Sequence, residues 1–400
     1  MRTSGSPAST VLLGALIAAA PFAMDIYLAS MPSMARALAA SPREVQLTLT
    51  VYMYCWGVAQ LFAGPLSDRY GRRPALLGGL ALFVLASAAC ALATTIGMLI
   101  ASRGAQALAI AAIAVVPRAV VRDQYSGDRA AHVLSLMGMV LGVAPVIAPI
   151  VGSHVHVWLG WQANFVLVAL YGLVLLGWVY AALPETLRAL DTTATRPAVV
   201  VANYGRLLHS RRFVGYMLVA AFTQAGLFAF LAGSAFVFVT VMGQGEQGFG
   251  LLFGAVMLGN ITGATIGSRL VRRWGIDTMI RRASVLLVVA GLTVAALAWA
   301  GVTHPLAVVV PMFFYMVALM TTMPQATAGA LTPFPEIAGA ASSLLSFVQF
   351  VLASTAALAV GVAFDGTSRA MATATAVGAV CAFVAFRLLI MRPAARPRAG

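Results

Sequence analysis

Two charged side chains stand where water should be scarce. Asp25 follows the uncharged apolar run 11–20, and Arg103 lies inside another, near 97–119. A lone charge at such depth costs several kcal/mol and marks a cavity or a partner. A carboxyl group in that setting can take up and release a proton. Burial favours its neutral form and a nearby guanidinium its charged form. Asp25 and Arg103 therefore suit a proton-coupling pair, with Arg103 tuning when the proton binds; a static Asp–Arg clamp would use the same two residues.

Other reactive residue types offer less. Cys55, Cys90 and Cys381 sit in apolar runs, where thiols act as small hydrophobes. Among His132, His154, His156, His209 and His304, only His154-x-His156 is clustered, in an outer loop. The expectation is no metal, no disulfide and no cofactor. There is no nucleophile–base constellation, so no enzyme is expected. A chain with no Lys and no Gly-Lys-Ser loop cannot drive work with its own ATP hydrolysis.

The elements that must position these residues follow from composition. Of 400 residues 61% are hydrophobic and 9% charged, with mean hydropathy +0.94. Soluble domains carry roughly 25% charged residues, so the solvent for this chain is lipid. The net charge of +14 is all Arg. Those Arg residues fall between apolar runs, which suits phospholipid headgroups and argues against nucleic acid. A bilayer core of ~30 Å needs ~20 helical residues. Twelve stretches qualify, at about 9–30, 46–66, 74–93, 97–119, 133–153 and 162–183, then 213–240, 247–268, 283–300, 305–331, 335–363 and 370–390. The first is read as a retained span, because its apolar stretch is longer than a signal peptide's. Between the sets lies the polar stretch 184–212, with Arg188, Asp191, Arg196, Arg206, Arg211 and Arg212. The chain divides into a six-helix half (1–183), a linker (184–212) and a second six-helix half (213–400). With the N-terminus cytoplasmic, nearly every loop Arg is inside, and Arg36, Arg43 and Arg369 remain outside. Both termini are then cytoplasmic.

Depth brings the two charges together. Asp25 lies about fifteen residues into its span, ~22 Å from the inner face at ~1.5 Å per residue. Arg103 lies about six residues into an inward-running span, ~9 Å from the outer face.

The halves carry a weak repeat: "GPLSDRYGRRP" (64–74) follows the second span and "GSRLVRRWGIDTMIRR" (267–282) the eighth. Two six-helix halves with a cytoplasmic linker resemble the parallel-repeat plan of the major facilitator superfamily. "GPLSDRYGRRP" resembles the superfamily's loop between helices two and three. "RGAQALA" (103–109) resembles its fourth-helix motif, and "GMVLGVAPVIAPIVGS" (138–153) the fifth-helix motif of proton antiporters. "MDIYLASMP" (24–32), "VQLTLTVY" (45–52), "VRDQY" (121–125), "LLHSRRFVGYML" (207–218) and "FPEIAGAASSL" (from 334) are similar to the Bcr/CflA drug-resistance branch. That branch usually reads Pro-Ala-x-Pro after Tyr-Leu, where this chain has Ala29-Ser30-Met31-Pro32. Helix geometry just beyond Asp25 is expected to differ.

The resemblance implies an all-α, twelve-helix membrane fold. It implies proton-coupled efflux of small amphipathic antibiotics, bicyclomycin- or phenicol-like, by a monomer in the bacterial inner membrane. Its first and fourth helices line the central cavity, where Asp25 and Arg103 could meet. The partners are a small-molecule substrate, protons and membrane lipid. An exporter of an endogenous amino acid, nucleoside or sugar, or a sensor that no longer transports, would share most of these features.

Further candidates follow. Gly64, Asp68, Arg69, Gly71, Arg72 and Arg73 form a gate element joined by Arg118, Arg122 and Asp123. Asp68 could bond Arg72 or Arg73, or sit near the start of the eleventh helix around 338–342, where the macrodipole favours an anion. Gly138, Gly142, Pro145, Pro149 and Gly152 recur at helical spacing along the fifth span, and Gly259, Gly263 and Gly267 along the eighth. Small faces of this kind predict that the two helices pack on each other. Met24, Tyr52, Gln106, Phe222, Gln224, Phe230 and Tyr315 supply an aromatic and polar wall for substrate. Glu336 reads as a helix-start charge rather than a second proton site.

Overall fold

A computed structural model describes residues 7–125, 127–187 and 197–391. All regular structure among them is helical. The helices are α1 (Pro7–Asp25), α2 (Met31–Ala37), α3 (Pro42–Tyr70), α4 (Arg72–Ala91), α5 (Ile96–Gln124), α6 (Gly127–Leu159) and α7 (Trp161–Ala182). Then follow α8 (Pro197–His209), α9 (Arg211–Ala235), α10 (Gly245–Trp274), α11 (Ile276–Trp299), α12 (Leu306–Leu331), α13 (Ala338–Val362) and α14 (Arg369–Ala385). Eleven stretches are long and apolar enough to cross a membrane. α3 has the length too, but Gln46, Thr48, Thr50, Tyr52, Tyr54 and Gln60 dilute its hydropathy. Counting α1 and α2 as one broken span, six membrane-length helices precede residue 184 and six follow residue 210.

Local chemistry sets the ends. Ser41 and Glu44 form a reciprocal capping box at the start of α3. Thr95 caps α5 through the Met98 N–H at 3.2 Å. Gly71, at φ +99°, turns the chain from α3 into α4, and Gly275, at φ +72°, turns it from α10 into α11. Side chains resist that left-handed region, so the repeated motif marks the same turn in both sets of six.

Two features differ from the sequence reading. The first span breaks: α1 ends at Asp25, a tight turn of helix covers Leu28–Ser30, and α2 resumes at Met31. The stretch 184–212 is not all irregular, since α8 occupies Pro197–His209. Its Leu207 is buried with Phe213 and Phe334, and Arg206 pairs with Glu336 at 2.7 Å. Glu336 thus serves an exposed contact. Arg188, Asp191 and Arg196 lie outside the described residues, as do Arg2 and the last nine positions.

Candidate functional site

Asp25 is the last residue of α1 and is 2% exposed. The break after it is pinned from three sides. Tyr27 shares a hydrogen bond with Thr48 of α3 at 3.2 Å, and Asn164 of α7 donates to Ser30 at 2.9 Å. On α6, Gly152 lies so close that a Cβ there would overlap the Ile26 carbonyl. Only glycine lets α6 reach the break.

Arg103 is fully buried on α5. Its guanidinium lies 4.4 Å from the Tyr27 ring centre and 4.0 Å from that of Tyr52. One terminal nitrogen donates to the Ala23 carbonyl at 3.1 Å and to the Gln106 side-chain oxygen. Gln106 in turn donates to Ser87 at 2.7 Å, and Ser87 to the Phe83 carbonyl at 2.6 Å. The expected direct meeting is not present: no ion pair joins Arg103 to Asp25 in this conformation. Two aromatic faces and a carbonyl hold the cation instead. The Asp25 Oδ1, the Arg103 Nε and its second terminal nitrogen are all buried without hydrogen-bond partners. Unpaired groups of this kind cost stability, and several of them clustered in one place call for an explanation.

Below this pair the two sets of six helices meet along α3 and α13. The Trp56 ring lies tilted against Phe350, with centres 4.4 Å apart, and edge-on to Tyr52 at 6.0 Å, while Phe228 of α9 approaches Phe350 edge-on at 6.5 Å. The Tyr52 hydroxyl, the Trp56 N–H and the Gln349 amide nitrogen are also buried and unpartnered. One turn further down, a cleft of about 490 Å³ opens between Gln60, Asp68, Arg118 and Arg122 on one wall and Ser342 and Ser346 on the other. Above the pair the same seam is shut. Gln46 donates to the Ala232 carbonyl at 3.0 Å. Glu246 of α10 meets His156 of α6 at 2.8 Å and Arg36 of α2 at 3.7 Å, and accepts from the Ser33 hydroxyl. The molecule is open at the Arg-rich end and closed at the other.

The residues expected to form a gate assemble, but within the first six helices. Arg72 pairs with Asp68 at 2.5 Å and with Asp123 at 3.0 Å, and donates to Ser67 at 2.6 Å. Asp68 therefore has Arg72 as its partner, and the cleft separates it from the first turn of α13. Arg69 lies on the Tyr70 ring, and Gly64 has open space around its Cα. Arg118 and Arg122 face the cleft on successive turns of α5.

Glu185, just past α7, accepts the backbone N–H groups of Arg72 and Arg73 at 3.0 and 3.1 Å. Sequence reasoning passed over this residue, whose only signal is a carboxylate directly after a span. Burial pushes its carboxyl up, but the N–H donors of Leu187, Arg73, Arg72 and Thr186 outweigh that and hold it below the ordinary range. A lowered folded value stabilises above the unfolded pKa, about 4.3, and the gain is lost as pH falls through the folded value. Glu185→Gln is expected to lower the melting temperature at pH 7, a loss of about 1 kcal/mol for a partly exposed group. The gap between variant and wild type should close as the pH of the melt drops below about 4.3.

Of the predicted wall, Tyr52 and Gln106 belong to the Arg103 network, and Met24 is buried beside Asp25. Gln224 projects from α9 on the side opposite Phe222, two residues or ~200° away. Three residues lie away from that network. Phe230 stacks on Phe253 at 5.6 Å and is core; Tyr315 donates to the Thr223 carbonyl at 3.1 Å and is core. Phe222 floors a lateral groove between α13 and α14. Periodicity gives a residue a face but not the neighbour it faces, so the cluster of Trp56, Phe228 and Phe350 beside the buried Gln349 was not legible in the sequence.

The helix-packing expectation is half right. α6 and α10 do pack together. The contact, however, is made by Gly250 against Ser153 and the Pro149 carbonyl, and by Gly254 against Ile150. Gly259 and Gly263 lie on the backbone of α12 at Phe313 and Val317, with Gly267 near Thr321. Five residues separate Gly254 from Gly259, a rotation of roughly 140°, so α10 has two small faces rather than one. Gly138 and Gly142 of α6 have nothing within 4 Å, whereas Gly152 touches the α1 break. Pro145 and Pro149 lie inside the unbroken α6.

Residues 11–357 match the family model for the Major Facilitator Superfamily. The chain belongs to that superfamily. Within the Major Facilitator Superfamily it is 31% identical over 341 residues to the bicyclomycin resistance protein homolog of Haemophilus influenzae, covering 85% of each chain. It is 30% identical to a chloramphenicol resistance protein of Pseudomonas aeruginosa, over 84% of this chain and 80% of that one. These relatives are in keeping with the Bcr/CflA branch that the motifs resemble. The D-xylose–proton symporter structure superposes with a TM-score of 0.77 over 96% of this chain and 97% of its own, at 14% identity. That likeness speaks for the superfamily fold alone.

Proposed function

We propose that the protein exports small amphipathic antibiotics, bicyclomycin- or phenicol-like, in exchange for protons. The observation that carries this reading is the buried, unpartnered Asp25 oxygen near Arg103, in a molecule with a cleft open at the Arg-rich end, beyond the Trp56–Phe350 contact, and a sealed opposite end. A cleft open to one face at a time is what alternating access requires. The units that rock are the first six helices (1–183) and the last six (213–400), joined by 184–212. With the Arg-rich loops inside, the open cleft faces the cytoplasm and the Glu246 contact closes the outer side of the bacterial inner membrane. Drug enters from the cytoplasm, the site turns outward, and a proton reaching Asp25 favours release. The proton leaves inward to reset the cycle. One charge moving through ~100 mV supplies ~2.3 kcal/mol, which sustains a roughly fiftyfold gradient of a neutral drug. The protein works as a monomer, with lipid around it and no cofactor.

Everted vesicles carrying the protein and an imposed pH gradient test this. Adding chloramphenicol or bicyclomycin is expected to discharge part of the gradient, relative to vesicles without the protein. No discharge across a panel of such drugs would defeat the drug reading, and discharge by amino acids or nucleosides instead would replace it.

A further inference from the structure

α13 and α14 each pack closely on α9 and touch one another little. Between them a groove of about 610 Å³ opens to the side of the bundle, on the floor made by Phe222 and Ala225. It is separate from the cleft below Asp25. Its walls are small apolar residues, Ala356, Ala359, Ala370, Ala374 and Gly378. Along α13 the lining runs from Leu352 to Ala363, and along α14 from Arg369 to Gly378. At ~1.5 Å per residue these stretches span ~16 and ~13 Å, about half of a ~30 Å hydrocarbon core. The groove is therefore one leaflet deep, in the leaflet away from the gate loop.

Its only charges stand at the mouth. Asp365 uses one oxygen to accept from the Thr367 hydroxyl at 2.5 Å and its N–H at 3.0 Å, and the other oxygen is not used by those bonds. The Thr367 hydroxyl, then its N–H, hold the carboxyl below its ordinary range, so it stays charged. Arg369 lies 5.0 Å above the Trp299 ring, and that indole donates to Thr373 at 3.0 Å. Among the described residues Arg369 forms no ion pair. An aromatic ring, a carboxylate and a guanidinium thus face the headgroup level together.

We propose that this groove holds one zwitterionic phospholipid of the phosphoethanolamine type, with an acyl chain in the alanine trough, its phosphate on Arg369 and its ammonium on Asp365. The charges select the occupant. An anionic lipid would bring its charge against Asp365 as well as Arg369, and a cationic amphiphile the reverse. An uncharged drug would leave both unused and is short for a trough one leaflet deep.

Bromine quenching of Trp299 tests the assignment. The full chain is reconstituted in vesicles of equal parts phosphatidylethanolamine and phosphatidylglycerol, with bromine on the acyl chains of one lipid or the other. The Trp299 signal is the difference between wild type and Trp299→Phe. Brominated phosphatidylethanolamine is expected to be enriched at Trp299 about fivefold over brominated phosphatidylglycerol, the ratio one headgroup charge contact supports. Arg369→Gln and Asp365→Asn should each abolish that preference. Because Trp299→Phe could perturb the mouth, native mass spectrometry provides a second reading: a retained phosphatidylethanolamine adduct on wild type, lost in both charge variants. Equal quenching by the two lipids, or stronger quenching by phosphatidylglycerol, overturns the proposal. So does an adduct unaffected by either charge variant.

Discussion

Asp25→Asn is expected to abolish drug-driven discharge of a pH gradient while leaving the protein folded. Asparagine matches aspartate in shape, so the α1 break, the Tyr27 and Asn164 contacts and the Gly152 approach all survive. What is lost is the buried carboxyl group beside Arg103 that, in the proposed cycle, exchanges the proton. The expected fall in proton-linked transport is to background, with drug binding reduced far less. Binding by equilibrium dialysis, measured beside transport in vesicles, separates the two. Full drug resistance in cells carrying Asp25→Asn would end the coupling assignment.

Glu246→Gln is expected to loosen the outer closure. Glu246 bridges α10 to α6 and α2 through His156, Arg36 and Ser33, and two of the contacts lie in a largely buried setting. Removing one partner of a buried charged contact costs ~2–5 kcal/mol. A shift of even ~2 kcal/mol changes a two-state balance about thirtyfold. Spin labels at Arg43→Cys and Gln247→Cys, on opposite sides of the outer mouth, should report a longer distance population in Glu246→Gln than in the parent. His156→Asn should move the same way by less. An unchanged distance distribution would show that the aromatic seam, rather than this carboxylate, holds the mouth shut.

Sequence made the scaffold legible because its signals are strong and local. Apolar runs of membrane length mark the spans, and glycines in the two basic loops mark the turns, as Gly71 and Gly275 bear out. The depth of Asp25 and Arg103 was readable from helical rise. Their separation was not, because a guanidinium can be held by aromatic faces as well as by a carboxylate, and Tyr27 and Tyr52 come from different helices. α8 escaped notice because a thirteen-residue amphipathic helix in a polar stretch looks like linker until Phe213 and Phe334 cover its Leu207. Glu246 and His156 escaped because nearly a hundred residues lie between them, and His154-x-His156 invited a metal question instead. The two glycine faces of α10 merged into one because spacing of four recurs in each and only the partners tell them apart.

Those two faces divide the labour of any rocking motion. At Gly259 and Gly263 the α10 surface rests on the peptide carbonyls of Phe313 and Val317 in α12, beside the Cβ atoms of Met316 and Met320. That weld makes the pair a single stiff plate. At Gly250 and Gly254 the other surface meets the side chains of Ser153 and Ile150 and the carbonyls of Pro149 and Val146, a contact in which side chains can give way. In the rocking cycle proposed above, α10 and α12 are expected to move as one unit and the α6 contact to give first.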